Sequence, residues 1–591
     1  MSIISAKTKV TTKKLLWLVV LGIILAGAFY SEKHNNLLNY KQTTSANKID
    51  KTYKLRKVKI ILEDRDYDFL FSDLPLSMRT YQKAILLADN QPKVYNIDFR
   101  LRGNHAWHWY KEKPSFRVRT SSKDLLYSRK ELDFINPEDA SGFSNVLSEF
   151  MASNIGIAHI DMSFCQVHIN DHYKGLYQIT DRPCSTTLKS QDGITGPVVT
   201  GNDWNLEKWT NEKLWEYEQE KVGNLPNLEL QAELEGKMKY LIDNLKDPLN
   251  LTAHQNLTSV LDIDKTAQWS AFMTIIGSVH TDDFHNLYFC YDKTKKIYFP
   301  FITDPSGFGI LTSISNKNTL ENIRIPIYEF LTPLVNSLFR DPEFQFKRNN
   351  YIYSYLTKQL TKDFVSETVN EWRKYIEPLY YQEKNYRALI TAPKLIPIRI
   401  PVSPEYRIKD IDRLVDYYKA RYDFLMEELG NSEAIIQSYD CPNPDGIKQF
   451  VISVKGNSPI KWNLPKIFEN KIYLDNNMDK IITTQEFCKI TELLLYPALT
   501  KISAMQIKIP PEYTSLMIFK RLAKYMLTPE YQTYLIGINT DYEKQILNEL
   551  IHNGKNAITG AKVKINLKRE PLNQYMLYRN KDSIHVWSKH E

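Results

Sequence analysis

The hydrophobic rhythm of the chain changes several times. Tyr95, Ile97, Phe99 and Leu101 alternate with Asn96, Asp98, Arg100 and Arg102, a period of two that predicts a half-buried strand over 94–102. VKIIL at 58–62 and SFRVR at 115–119 read as further short strands. The period then lengthens in GFSNVLSEFMASNIG, 142–156, where Phe143, Val146, Leu147, Phe150 and Met151 share one helical face and Gly156 supplies a stop. FCQVHIN, the turn DHYKG and LYQIT predict a hairpin, so the first 190 residues are expected to be mostly strand with one notable helix.

The middle of the chain is helical in period. Helices are expected over 227–246, 262–280, about 351–376 and 403–429, with a hairpin of strands 287–291 and 297–302 around the charged turn DKTKK. The segment QSYDCPNPDGIKQ, 436–448, carries Pro442, Pro444 and Gly446 and reads as a domain boundary. Beyond it strands are expected at 505–509 and 561–567 with a helix around 514–527 between them, an α+β pattern.

The first thirty residues follow neither rhythm. Lys7, Lys9, Lys13 and Lys14 precede an uninterrupted apolar run over 15–30, and a polar stretch follows. A basic leader before such a run predicts a signal anchor, with the bulk of the chain outside the cytoplasm and a single pass through the cell membrane. Ala26-Gly27-Ala28 would suit a signal peptidase, so a cleaved, secreted or periplasmic form is the alternative. The expected division is therefore 1–30 signal anchor or signal peptide, 31–50 polar tether, 51–435 first domain and 449–591 C-terminal domain.

Composition narrows the picture only in part. The chain has 591 residues, 43% hydrophobic, 25% charged and 12% aromatic, which excludes disorder, collagen and a disulfide-dense miniprotein for the bulk. A net charge of +8 over this length is compatible with anionic partners and singles out none; no nucleic-acid partner is expected. Cys165, Cys184, Cys290, Cys441 and Cys488 include no CxxC pair, which argues against a structural zinc site, although Cys165 and Cys184 would be able to pair in an oxidising compartment.

The densest run of reactive side chains is GSVHTDDFHNLYFCYDKTKKIYFPFITDPSGFG, 277–309. Asp282, Asp283 and Asn286 stand where a long helix gives way to a strand, and Asp304 follows the return strand at a glycine-bearing turn. The hairpin brings both ends together, and hard oxygen donors of this kind suit Mg²⁺. His280 and His285 flank the aspartates, so a zinc- or iron-dependent hydrolase using His280, Asp282, Asp283 and His285 is a competing reading. A third is plain capping of turns by these aspartates.

FRLRGN (99–104), KPSFRVR (113–119), NDHYKGLYQITD (170–181), DDFHNLYF, ITDPSGFG and the late-helix arginine of YYKARYDFL, Arg421, occur in an order that resembles the CotH kinase family, the spore-coat-protein-H type of atypical protein kinase, over roughly 55–430. The resemblance implies a divergent two-lobed protein-kinase-like domain, followed here by a smaller mixed α/β or α+β domain and preceded by one apolar helix. It implies ATP or another nucleoside triphosphate with Mg²⁺ or Mn²⁺, and transfer of phosphate to serine or threonine of a surface or secreted protein. On that resemblance Asn286 and Asp304 are the metal ligands and Asp283, or its neighbour Asp282, is the catalytic aspartate. Arg117, with Arg119, Arg102 and Lys113 as rivals, would bind phosphate; Glu149 would orient that base by an ion pair; Asp181 would lie at the hinge near base or ribose. The family's usual place for the catalytic aspartate, five residues before the asparagine, is Thr281 here, and Asp181 stands where glutamate is usual, so a catalytically silent cell-envelope binding module is an alternative. Trp107 and Trp109 are read as packing and the lysines of the 293–296 turn as solvated.

Overall fold

The chain divides into two units, Met1–Tyr53 and Lys54–Glu591. The structure, a computed structural model, describes residues 55–89, 93–103, 106–183, 196–200, 228–245, 256–278, 287–308, 327, 338–339, 341–383, 386–391, 397–439, 446–469, 471–474, 492–504 and 525–572. The expected apolar anchor and tether lie outside them. Among the described residues no helix is long and apolar enough to cross a membrane.

The fold is mixed α+β. Seven strands, β1 (Arg56–Ile61), β2 (Gln82–Ala88), β3 (Val94–Leu101), β4 (Phe116–Thr120), β5 (Glu131–Ile135), β6 (Met162–Ile169) and β7 (His172–Asp181), close into a barrel in the order β1-β2-β3-β4-β5-β7-β6. Every neighbouring pair is antiparallel except the closing one, in which β1 runs parallel to β6 with Val58 opposite Val167 and Ile60 opposite Ile169. The period of two read in β3 is the inside-outside alternation of this barrel: Ile97, Phe99 and Leu101 join Phe116, Val118, Leu132, Phe134, Tyr177 and Ile179 in one apolar interior. The intervening positions, Arg100, Arg117, Arg119, Glu131 and Asp133, turn outward. Helix α1 (Asp64–Phe69) lies in the β1–β2 connection, and α2 (Ser144–Asn154) is the helix expected over 142–156.

After the barrel comes a three-stranded sheet, β10-β9-β8, from Val198–Thr200 (β8), Tyr288–Asp292 (β9) and Ile297–Phe301 (β10). The expected hairpin is therefore present and separate from the barrel that holds β3. Helices α3 (Leu228–Leu245), α4 (Ile263–Ile275), α5 (Pro342–Lys358), α6 (Phe364–Gln382) and α7 (Pro404–Gly430) supply the helical region, with a two-stranded hairpin, β11 (Arg387–Thr391) and β12 (Pro397–Pro401), before α7.

Two expectations need correction here. The single helix read over 351–376 is the pair α5 and α6: α5 starts earlier, at Asp341-Pro342, where the Asp341 carboxylate accepts from the Glu343 amide at 2.9 Å. It ends where the Leu360 amide turns back onto the Tyr355 carbonyl at 2.8 Å. The boundary expected at 436–448 falls within the C-terminal sheet, because β13 (Ser432–Tyr439) pairs antiparallel with β14 (Ile447–Gly456), Ser438 opposite Phe450. The C-terminal strands thus begin directly after α7.

Those strands form the sheet β16-β17-β14-β13-β18, from Ile472–Leu474 (β16), Gln532–Asn539 (β17) and Lys564–Leu572 (β18), with β15 (Ile460–Asn463) in a smaller neighbouring sheet. Helix α8 (Glu543–Asn553) packs Ile546 and Leu550 into an apolar core with Ile436, Ile452, Trp462 and Ile536. Residues 525–527, read as the end of a helix, belong to the strand Tyr525–Glu530; the remainder of that expected helix and the strand at 505–509 lie outside the described residues. The sheet is stitched to the helical region: Asn556 Nδ2 donates to the Leu429 carbonyl at 2.9 Å and Asn349 Nδ2 to the Asn457 carbonyl at 2.7 Å.

Candidate functional site

The β9–β10 hairpin delivers Asp304 to a fixed place. Past β10 the chain runs beside 158–160, with the Ile160 amide on the Ile302 carbonyl at 3.0 Å and the Ile302 amide on the Ala158 carbonyl at 2.8 Å. The backbone then tightens: Asp304, Ser306 and Phe308 adopt positive φ of 44°, 40° and 62°. Non-glycine residues hold such angles only where surroundings impose them. Two contacts with the exit of α4 do so, since the Phe308 amide donates to the Ile276 carbonyl at 2.6 Å and Ser278 Oγ donates to the Pro305 carbonyl. A Cβ on Gly307 would sit 3.0 Å from that of Ile276, so the turn packs closely on the end of α4.

Helix α2 grips the same turn from the other side. Asn145 Oδ1 accepts the Ser306 amide at 2.7 Å, which fixes the amide orientation so that Nδ2 donates to Asp304 Oδ1. One helical turn later stands Glu149, 1% exposed. Neither of its carboxylate oxygens makes a hydrogen bond of good geometry among the described residues, although weak backbone N–H contacts from Asp304 and Ile160 favour its charged form. Burial, then the neighbouring Asp161 and Asp304, push its carboxyl well above the ordinary glutamate range.

The expected ion pair between Glu149 and Arg117 is not formed. Arg117 is bidentate on Asp133, directly opposite it on β5, with Nε–Oδ1 2.6 Å and NH2–Oδ2 2.9 Å, and Arg102 Nε approaches the same carboxylate at 3.1 Å. Burial would raise the Asp133 carboxyl, but Arg117 and Arg102 hold it far below the usual range. Arg119 pairs with Glu131 at 2.6 Å and Arg182 reaches Glu131 at 3.5 Å. Arg117 is the most enclosed of the three candidate arginines, 13% exposed at the side chain against 24% for Arg102 and 33% for Arg119. Lys113 is withdrawn altogether: it is buried against Glu383, which also takes Arg407 at 2.9 Å, and burial lowers its pKa against the pull of Glu383.

Asp181, at the end of β7, is buried and paired with Arg129. Burial raises its carboxyl to about 6 while Arg129 opposes that shift. Arg129 also lies 3.9 Å from Asp161, whose carboxylate meets His159 Nε2 at 3.3 Å.

Asp282, Asp283 and Asn286, and the histidines His280 and His285 of the hydrolase reading, lie outside the described residues. So does Cys184; Cys165 and Cys290 are buried. Among the described residues, no group of three or more His, Cys, Asp or Glu side chains is arranged to hold a metal. Trp109 packs against the barrel core with Nε1 donating to the Gly103 carbonyl at 3.0 Å, and buried Arg399 donates to the Trp107 carbonyl at 2.8 Å. Asn145 was not among the candidates read from the sequence. Its signal was available, because Asn145 and Glu149 are four residues apart on one face of the expected helix.

A family model described as CotH kinase protein matches residues 99–425. That span runs from β3 through most of α7 and includes α2, Asp304 and Arg421. No curated protein matches the chain.

Proposed function

The chain belongs to the CotH kinase family, and on that premise we propose that it is a nucleotide- and divalent-metal-dependent phosphotransferase acting on serine or threonine of a surface or secreted protein. The observation that carries the reading is the Asp304 turn, held in strained backbone by Asn145 beside a buried carboxyl that has no ion-pair partner among the described residues. The donor set is hard oxygen, which fits Mg²⁺ or Mn²⁺ and gives no reason to invoke a softer metal.

When bound, such a cation would hold the β- and γ-phosphates of ATP and offset the charge that develops during transfer. Asp304 and Asn286 would ligate it. Asp283, or Asp282, would accept the proton of the attacking hydroxyl and orient it. Arg102 and Arg119 are the better candidates for phosphate contact, because their side chains are more exposed than that of Arg117, which is bidentate on Asp133. Asp181 and Arg129 would border the base or ribose. The basic leader and apolar run support placement of this chemistry outside the cytoplasm.

Incubation of the purified protein with γ-labelled ATP, Mn²⁺ and a serine-rich acceptor protein tests the proposal. Label should appear in protein and be lost in Asp304→Asn and Asp283→Ala. Metal-dependent nucleotide binding without transfer would favour the silent module instead, and bound zinc or iron on metal analysis would favour the hydrolase.

A further inference from the structure

We propose that Glu149 is a direct ligand of the divalent cation at Asp304, supplied by helix α2, in place of its expected role as partner of a strand arginine. The inference rests on the metal-dependent reading above and adds a ligand to it.

Seven acids are buried among the described residues: Asp133, Asp139, Glu149, Asp181, Asp262, Asp341 and Glu383. Six have visible compensation. Asp133 has Arg117 and Arg102, Glu383 has Lys113 and Arg407, Asp181 has Arg129, and Asp262 has Lys295 at 2.9 Å. Asp139 accepts from Ser141, Ser144 and the Phe143 amide, and Asp341 caps α5. Glu149 alone has two buried oxygens without a hydrogen bond of good geometry. An uncompensated buried carboxyl is costly and rarely kept without a use.

The neighbours say what would compensate it. The charges that face Glu149 are Asp304 and Asp161, both acidic. Asp161 is 62% exposed at its side chain and is served by His159 and Arg129, which leaves Glu149 as the buried carboxyl in need of positive charge beside Asp304. His159 is an unsuitable ligand, since Nδ1 bonds the Ile157 carbonyl at 2.8 Å and Nε2 faces Asp161. Two carboxylates, with phosphate oxygens and water completing the shell, are the usual protein contribution to Mg²⁺. Asn145 ties the two together, because its bonds to Asp304 and Ser306 set the turn against the helix that carries Glu149.

The test is Mn²⁺ binding to the full chain at pH 7.5, read by electron paramagnetic resonance and by the metal-induced rise in Tm, with and without a non-hydrolysable ATP analogue. Wild type should bind Mn²⁺. Glu149→Gln should weaken binding at least tenfold and remain folded, with a metal-free Tm at or above that of wild type, and Asp304→Asn should weaken it as much. Asp161→Asn should bind within about threefold of wild type. Wild-type affinity in Glu149→Gln with loss in Asp304→Asn would overturn the Glu149 assignment alone. No Mn²⁺ binding by wild type, with or without the analogue, would overturn both this inference and the proposed function.

Discussion

Two buried carboxyl environments in this chain are built in opposite ways. On the outer wall of the barrel and beneath it, Asp133 and Glu383 are each met by two cations, and both carboxyls are held below their ordinary range despite burial. Between α2 and the Asp304 turn, Glu149 is equally buried, has acids for neighbours and is pushed upward. The first arrangement needs nothing from outside and serves the fold. The second is complete only when a proton or an external cation arrives, which is what a metal-dependent site requires of its resting state.

The comparison breaks most visibly at Glu383. Glu383→Ala strands Lys113 and Arg407 in the interior and should cost about 3–5 kcal/mol of stability, read as a lower urea midpoint. An unchanged midpoint would mean that the cluster contributes nothing to the fold.

Asp133→Asn should cost less, about 2–3 kcal/mol, because Arg102 and Arg117 retain some access to water. The sign with pH is definite. A carboxyl held below its ordinary value stabilises fully above about pH 4, and that contribution is lost as pH falls toward the native value. The deficit of Asp133→Asn should therefore shrink in acid below about pH 4, and a constant deficit would contradict the charge argument.

Glu149→Gln should act in the opposite direction. The native carboxyl is raised, so the contribution of this group to the metal-free wild type is greatest below about pH 4.5 and is lost as pH rises toward the raised value, by at most about 1.4 kcal/mol per pH unit. Removing the charge should stabilise the metal-free protein by about 1 kcal/mol at pH 7.5 and flatten that slope, measured by thermal unfolding in chelator. A destabilised variant with an unchanged slope would place Glu149 with the charge-matched acids.

The smallest effect sharpens the contrast from outside both regions. Lys83 pairs with Asp98 at 2.6 Å, but its side chain is 90% exposed. Lys83→Ala should change stability by less than about 1 kcal/mol and vary with salt.

Much of this was legible in the sequence because local rhythm determines local structure. The alternation in 94–102, the helical face in 142–156 and the turn between 291 and 297 each identify their element from neighbouring residues alone. Closure of the barrel was not legible, since β1 meets β6 in parallel across about a hundred residues and nothing in RKVKII names its partner. The same limit applied to the arginines. Arg117 looks available on the polar side of a strand until register sets Asp133 opposite it. Glu149 was recognised as a site residue from its helix, but its partner was assigned by analogy with an ion pair, and only the fold shows acids around it. The helix break at Leu360 and the early start of the C-terminal sheet were hidden for a related reason: 436–448 carries the residues of a boundary and of a hairpin turn alike.

The central claim, that the Asp304 turn is a cation-dependent nucleotide site, is tested most directly by calorimetric titration of wild type and Asp304→Ala with a non-hydrolysable ATP analogue, each in Mg²⁺ and in chelator. The account predicts that wild type binds in Mg²⁺ and loses at least tenfold in affinity in chelator, while Asp304→Ala stays folded and loses the metal-dependent part. Equal binding by the two proteins in Mg²⁺, or wild-type binding indifferent to chelator, would contradict it.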